Sequence, residues 1–127
     1  MKKIILSVFI FVMTMTANTF ADIKMGIILG FTGPIESLTP AMAASAELAF
    51  KEASDSGSLL GGKRISVERA DSTCVDSAAA TSAAEGLVSG GVVAIMGADC
   101  SGVTGAIATN VAVPNGCLLY TSDAADE

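Results

Sequence analysis

The sequence predicts an α/β fold in three layers, with a parallel sheet and elements in the order β-α-β-α-β-α. Three short apolar segments with strand character alternate with longer, alanine-rich segments that have helical periodicity. Stretches rich in glycine or proline separate them, as expected of loops. Alternating strands and helices favour parallel strands joined by right-handed crossovers, with helices covering both faces of the sheet.

The first strand and the first helix have the clearest signals. Residues 23–29 form an apolar run that predicts a buried strand, and residues 30–34 (Gly-Phe-Thr-Gly-Pro) predict a loop. Thr39 is expected to be the N-cap of the first helix, with Pro40 at the first helical position. Small and apolar side chains then recur with helical spacing and are expected to face the sheet. They are those of Met42, Ala46, Ala49, Phe50 and Ala53.

The next elements are recognised by periodicity and capping. Residues 65–70 alternate between apolar and polar side chains, which predicts a strand at the edge of the sheet with one solvated face. Asp76 is expected to cap a second helix at residues 77–89. The continuous apolar run at residues 92–96 predicts a central strand.

These assignments predict the strand order 2-1-3 and, with it, the place of a binding site. Ligands of open α/β sheets bind beyond the carboxyl ends of the strands, where the strand order changes direction. Here that point, the topological switch point, lies between the first and third strands. It singles out the loop at residues 30–34 and the loop at residues 97–102, which leads into a third helix from about Val103 to Ala108.

The start of the chain has the pattern of a secretory signal peptide. A short basic stretch precedes an apolar run at residues 4–17, and Thr19-Phe20-Ala21 supplies the small residues of a cleavage site. The run is shorter than the roughly 20 residues of a membrane-spanning helix. We therefore interpret residues 1–21 as a signal peptide and expect no membrane insertion after its cleavage.

The end of the chain departs from the α/β pattern. Residues 117–127 (CLLYTSDAADE) resemble the translation of a sequencing-library adapter, so we predict that they are not native. The alternative is a genuine strand from Cys117 to Thr121 followed by an acidic tail. The folded part is then residues 22–116.

Composition narrows the classes of function. The 127 residues include 13 acidic and 7 basic side chains, giving a net charge of −6, and no histidine. An acidic chain argues against nucleic-acid binding, and the lack of histidine removes histidine-based catalysis and histidine-ligated metal within this chain. Asp71, Asp76 and Asp99 lie near predicted strand ends, but such residues more often cap helices or belong to loops. No catalytic residue, metal or cofactor is predicted.

Two features of the predicted site suggest specific chemical roles, one in anion binding and one in disulfide formation. Ser101 precedes the third helix, where free backbone N–H groups attract anions such as a carboxylate; the alternative is that it only caps that helix. Cys74 and Cys100 follow the second and third strands and, in an exported protein, favour a disulfide over a metal site; two unpaired thiols are the alternative. Because these strands would lie about 10 Å apart, the bond requires both loops to bend over the end of the first strand.

Several segments carry a resemblance to a known family. In order they are residues 23–28 with Thr32-Gly33-Pro34, then 46–53, 61–65, 71–76 and 95–101. Together they resemble the type I periplasmic binding proteins of ABC importers, specifically the branched-chain amino-acid (leucine/isoleucine/valine-type) family. The resemblance implies a receptor with two α/β lobes that clamp an amino acid between them. Residues 22–116 would be part of the N-terminal lobe, and the second lobe is missing from this chain.

The resemblance also implies roles for individual residues. Ser101 would bind the ligand α-carboxylate with its hydroxyl and backbone N–H, and Gly102 follows it in the same turn. Asp99 and Cys100 would line the pocket, and Leu38 stands where some members of the family have an aromatic residue. Since branched-chain binders have an apolar residue at the position of Asp99, selectivity for a polar or amide-bearing ligand becomes plausible.

The sequence therefore predicts a periplasmic solute-binding protein rather than an enzyme. It would capture a small amino-acid-like ligand and deliver it to the membrane permease of an ABC transporter. A ligand-sensing domain of a signalling receptor and an exported α/β enzyme are the alternatives.

Overall fold

A parallel sheet forms the centre of the fold. The computed structural model describes residues 22–121, so the predicted signal peptide and the last residues of the predicted tail lie outside the described part. Within it the strands run parallel in the order β2-β1-β3-β4, which confirms the predicted α/β class and the order 2-1-3. The strands are β1 (Ile23–Leu29), β2 (Ile65–Asp71), β3 (Ala94–Gly97) and β4 (Leu118–Tyr120).

Helices connect the strands. None of those in the described residues combines the length and the apolar character that crossing a membrane would require. The helices are α1 (Thr39–Asp55), a 3-10 turn (Leu59–Gly61), α2 (Ser77–Ser89), α3 (Ser101–Ile107), a π-helical segment (Ala108–Ala112) and α4 (Val113–Asn115).

The two long helices begin in different ways. Helix α2 has the predicted cap, because the carboxylate of Asp76 accepts hydrogen bonds from the backbone N–H groups of Ala78 and Ala79 at 2.9 and 3.0 Å. The prediction for α1 was wrong by one residue, since Leu38 is the N-cap. Thr39 is instead fully buried, and its hydroxyl donates to the carbonyl of Gly30 at 3.1 Å. The side chain that was expected to cap the helix therefore makes a tertiary contact instead.

The third helix is longer than predicted. Instead of ending near Ala108, the helical backbone continues from Ser101 through the π-helical segment to Asn115. Val103, Ile107 and Val111 recur at four-residue spacing and are at most 1% exposed, so one apolar stripe continues through the irregular turn. Burial of this stripe against the sheet favours the longer helix.

One face of the sheet is covered by helices over its centre, and we call it the sealed face. It is packed by α2, α3 and the π-helical segment. Its core consists of Ile28, Ala80, Ala84, Leu87, Val92, Ile95, Ala98, Val103, Ile107 and Val111, none more than 5% exposed. Small alanines on α2 allow the helix to approach the sheet closely.

The opposite face carries only α1, and we call it the open face. Ile27, Leu29 and Ala43 form its buried core, next to the partly buried Phe50 and Met96. Beside α1, an apolar groove of about 280 Å³ runs over β1, β3 and β4. Its lining is Met25, Ala46, Ala49, Phe50, Ala94, Ile95, Met96, Leu118 and Tyr120.

The fourth strand lies in the segment that we predicted to be non-native. Leu118 and Tyr120 pair with Ala94 and Met96 of β3. Their side chains point to the open face and are 71% and 72% exposed, whereas Leu119 packs against the sealed core. The segment thus has the strand conformation given above as the alternative, and the domain boundary at residue 116 stays a prediction.

Candidate functional site

The candidate site lies at the carboxyl edge of the sheet, where three loops meet. These loops follow β1, β2 and β3 and cover residues 30–38, 72–76 and 98–100. Parallel strands bring their carboxyl ends to one edge, so residues far apart in the chain become neighbours there. A disulfide and two aspartates join the three loops.

The disulfide links the loop after β2 to the loop after β3. Cys74 and Cys100 are bonded, with their Cα atoms 5.3 Å apart, which confirms the predicted pair. Because β1 lies between β2 and β3, both loops bend over the end of β1, as the strand order required. The remaining cysteine of the described residues, Cys117, is free and partly buried, and burial raises the pKa of its thiol.

Asp99 connects all three loops. Its Oδ2 accepts a hydrogen bond from the backbone N–H of Gly30 at 2.9 Å, and its Oδ1 accepts one from the hydroxyl of Ser72 at 3.4 Å. Ser72 is fully buried, and its own N–H donates to the carbonyl of Leu29 at 2.9 Å. Both carboxylate oxygens of Asp99 are therefore engaged within the protein.

Asp71 makes a second connection, between the loops after β1 and β2. Its carboxylate accepts from the Thr32 hydroxyl at 2.6 Å and from the backbone N–H of Thr73 at 2.8 Å. Partial burial opposes ionisation of Asp71, but the hydrogen bonds from Thr32, Thr73 and Phe31 outweigh it and lower its pKa below the ordinary value of 3.8. The ionised form is thus the one that holds these loops together.

The loop after β2 has a strained backbone. Thr73 and Cys74 have φ values of +57° and +70°, a region that L-residues with a Cβ rarely adopt. Gly33, with φ of +101°, passes so close that a Cβ there would lie 2.6 Å from the carbonyl oxygen of Thr73. Such conformations persist only where the surroundings hold them, and they cluster at functional sites.

The start of α3 faces solvent at this edge. Cys100 has an extended backbone and is the N-cap, so Ser101 is the first helical residue and not the cap. Ser101 and Gly102 are both exposed. The hydroxyl of Thr104 donates to the carbonyls of Ala98 and Cys100 at 3.2 and 2.9 Å, which stabilises this turn from inside.

A small apolar pocket of about 70 Å³ opens beside Asp99. Leu38, 61% exposed at the start of α1, is not brought into this pocket; Met42, one turn later, lines it. The full lining is Leu29, Met42, Met96, Gly97, Ala98, Asp99 and Tyr120. The apolar members were not predicted from the sequence, although Leu29 ends β1, and Met96 and Gly97 end β3.

The three carboxylates near the strand ends have structural partners. Asp76 caps α2, while Asp71 and Asp99 bind loop groups. Among residues 22–121, no cluster of three or more histidine, cysteine, aspartate or glutamate side chains is placed to hold a metal ion. The arrangement suits binding of a small molecule by backbone N–H and hydroxyl groups at the carboxyl edge of the sheet. There the disulfide, Asp71 and Asp99 connect the loops to one another.

Comparisons with known proteins agree with this architecture. Among solved structures, the chain is similar to the branched-chain amino acid transporter substrate-binding protein LivJ of Streptococcus pneumoniae, in complex with isoleucine. The identity is 31% and the TM-score 0.70, over 79% of this chain and 28% of that chain. It is similar in fold to the leucine-binding protein LivK of Thermotoga maritima, with 24% identity and a TM-score of 0.65, over 78% of this chain and 27% of that chain.

A third structure with the same fold is an ABC-type branched-chain amino acid transporter from Rhodopseudomonas palustris. It has 24% identity and a TM-score of 0.69, over 80% of this chain and 27% of that chain. The chain thus spans between a quarter and a third of the length of these three proteins. The comparison with curated proteins gave no match. Since the family profile of periplasmic binding proteins matches residues 22–127, the chain belongs to the periplasmic binding protein family, with the type I fold.

Proposed function

We propose that the chain is part of the substrate-binding component of an ABC importer for amino acids of the branched-chain type, acting in the periplasm. The observation that carries the proposal is the exposed start of α3, with Ser101 and Gly102 held at the switch point between β1 and β3. The similarity to the isoleucine-bound protein of Streptococcus pneumoniae supports it. The ligand would be delivered to a membrane permease when the lobes of the longer protein close around it.

Ser101 is the residue proposed to bind the α-carboxylate of the ligand. As the first residue of α3 it presents a hydroxyl and a backbone N–H at a helix start, where negative charge is favourable. Gly102 adds a second backbone N–H without a side chain in the way. Cys100, the N-cap of α3, and Leu38, the N-cap of α1, are proposed as further ligand contacts.

The pocket beside Asp99 supports an apolar ligand side chain. Apart from Asp99 its lining side chains are hydrocarbon, thioether or aromatic, and the engaged carboxylate is directed to Gly30 and Ser72. The charge at position 99 is therefore no argument for a polar ligand. This favours leucine, isoleucine or valine over an amide-bearing amino acid.

The proposal is tested by following backbone amide resonances of the ¹⁵N-labelled chain during addition of isoleucine. The resonances of Cys100, Ser101 and Gly102 should shift at millimolar concentrations, since one lobe supplies only part of the contacts, and calorimetry should show no micromolar isotherm. Isoleucinol, which lacks the carboxylate, is the matched control ligand and should cause no shift there. The variant Ser101→Ala keeps the backbone N–H donors but loses the hydroxyl, so it should weaken the response. An unchanged response in that variant would refute the assigned role.

A further inference from the structure

Asp99 holds an unusual position among the charged residues at the carboxyl edge. It directly precedes Cys100 and Ser101, yet its carboxylate is bonded to two other loops, at Gly30 and Ser72. These partners are 69 and 27 residues away in sequence. A single side chain therefore joins the ends of all three strands β1, β2 and β3.

The segments that Asp99 holds need external support. The loop after β2 contains two non-glycine residues with positive φ, and the disulfide pulls this loop across the end of β1. Strain of this kind must be offset by surrounding contacts. Hydrogen bonds to an ionised carboxylate are among the stronger contacts that a loop can make.

We propose that Asp99 is a positioning residue: its carboxylate ties the loop of Cys100 and Ser101 to the loops of Gly30 and Ser72, and it does not take part in ligand selectivity. We call these two hydrogen bonds of Asp99 the tie. The tie fixes the direction in which α3 starts and keeps Cys100 near Cys74. That this edge receives an amino acid rests on the proposed function, but the tie itself does not.

The test compares four variants of the 127-residue chain in a Cys117→Ser background, which removes the free thiol. Asp99→Asn keeps the shape without the charge, and Asp99→Ala removes the group. Ser72→Ala deletes one donor and keeps the rest, so it remains informative if an Asp99 variant fails to fold. Asp76→Ala is the control, because it removes the cap of α2 and destabilises the chain while leaving the partners of Asp99, Gly30 and Ser72, in place.

The first measurement is the hydrogen-exchange rate of the Gly30 backbone amide. In the parent chain this N–H should exchange slowly, because the carboxylate of Asp99 accepts its hydrogen bond. In Asp99→Ala the exchange should become faster, while in Asp76→Ala it should stay slow as long as the chain is folded. A Gly30 amide that exchanges equally fast in the parent chain and in Asp99→Ala overturns the proposal.

The second measurement is the equilibrium of the Cys74–Cys100 disulfide with reduced and oxidised glutathione. Without the tie the two thiols are held together less often, so Asp99→Ala should favour the reduced form by about tenfold, or about 30 mV, and Ser72→Ala by about threefold. Asp76→Ala should leave the equilibrium unchanged while the chain is folded. Equal values in all variants would contradict a positioning role.

Ligand response separates this proposal from the proposed function. If Asp99 only positions the loop, Asp99→Asn should weaken the response to leucine, isoleucine, valine and glutamine by the same factor. A changed order of preference would show that the carboxylate of Asp99 takes part in ligand selectivity, and the proposal would fall. If the Gly30 and glutathione results appear as expected but no amino acid shifts the Ser101 resonance, the tie stands and the proposed function fails.

Discussion

The two faces of the sheet are stabilised in different ways. The sealed face is held by apolar packing of α2 and α3, with ten side chains at most 5% exposed. The open face has three buried core residues, and ion pairs attach α1 to the neighbouring strand: Arg69 of β2 makes a two-pronged pair with Glu47 at 2.6 and 2.8 Å. The guanidinium also lies 5.6 Å from the ring centre of Phe31.

This difference follows from how a parallel sheet is covered. Right-handed crossovers that run in opposite directions along a sheet place their helices on opposite faces. Here one crossover runs towards β2 and carries α1, while two run the other way and carry α2 and α3. Parallel strands are usually buried on both faces, so the groove beside α1 marks the less stabilised side of this part of the lobe.

The largest expected effect comes from truncating one leucine on each face. Leu87 of α2 is 2% exposed in the sealed core, whereas Leu118 of β4 is 71% exposed over the groove. Leu87→Ala should lower the free energy of unfolding by about 2–5 kcal/mol, because it leaves a cavity. Leu118→Ala should change it by less than about 0.5 kcal/mol.

Urea unfolding followed by circular dichroism measures both leucine variants. Similar losses in the two would contradict the distinction between the faces. It would mean that the groove is closed in solution, since only a buried Leu118 has packing to lose.

A smaller effect is expected from enlarging one alanine on each face. Ala84 on α2 is fully buried, while Ala46 on α1 borders the groove. Ala84→Leu should destabilise the chain by about 1–3 kcal/mol through overpacking. Ala46→Leu has free volume to occupy and should be neutral or slightly stabilising in the same unfolding assay; a loss equal to that of Ala84→Leu would show that the groove is not available.

The smallest effect concerns pH and belongs to the open face. The hydrogen bond and charge of Arg69 hold the pKa of Glu47 below its ordinary value of 4.5. A carboxyl with a lowered pKa in the folded state contributes stability above its unfolded pKa and loses that contribution as the pH falls through the folded pKa. We therefore expect a slight loss of stability on acidification below about pH 4.5, smaller in high salt because the pair is exposed.

The variant Glu47→Gln isolates this contribution to the pH dependence. It should flatten the acid side of the curve of urea midpoint against pH, while Leu118→Ala should leave the shape of that curve unchanged. An identical acid dependence in Glu47→Gln and the parent chain would exclude Glu47 as its source.

The framework of the candidate site was predictable, but most of its contacts were not. The strand order puts the change of direction between β1 and β3, as predicted, and the predicted disulfide is present. The use of these loops for ligand binding stays a prediction. The engagement of Asp99 with Gly30 was not predictable, because it depends on how two loops 69 residues apart approach each other. The apolar pocket lining was also missed, since an apolar strand end has no sequence signal that separates a pocket from a core.

Some features of the fold follow from local sequence signals, and others depend on tertiary contacts. The sequence by itself determined the order of elements, the edge position of β2 and the exact cap of α2, because periodicity and capping depend on residues close in the chain. The buried side of α1 was decided only by the tertiary structure. Ala43 and Ser54 are buried. Met42 instead lines the small pocket beside Asp99 and Ala49 lines the groove, although helical spacing pointed to these two.

Thr39 shows the physical reason for that division most directly. Its hydroxyl has the chemistry of a helix cap, and the sequence alone assigns it that role. In the folded chain the same hydroxyl reaches the carbonyl of Gly30, which would otherwise be a buried and unpaired acceptor. The preference of Thr for the N-cap, about 1 kcal/mol, is outweighed when a buried backbone carbonyl would otherwise lack a hydrogen-bond donor. Only the packed structure shows which backbone groups are buried.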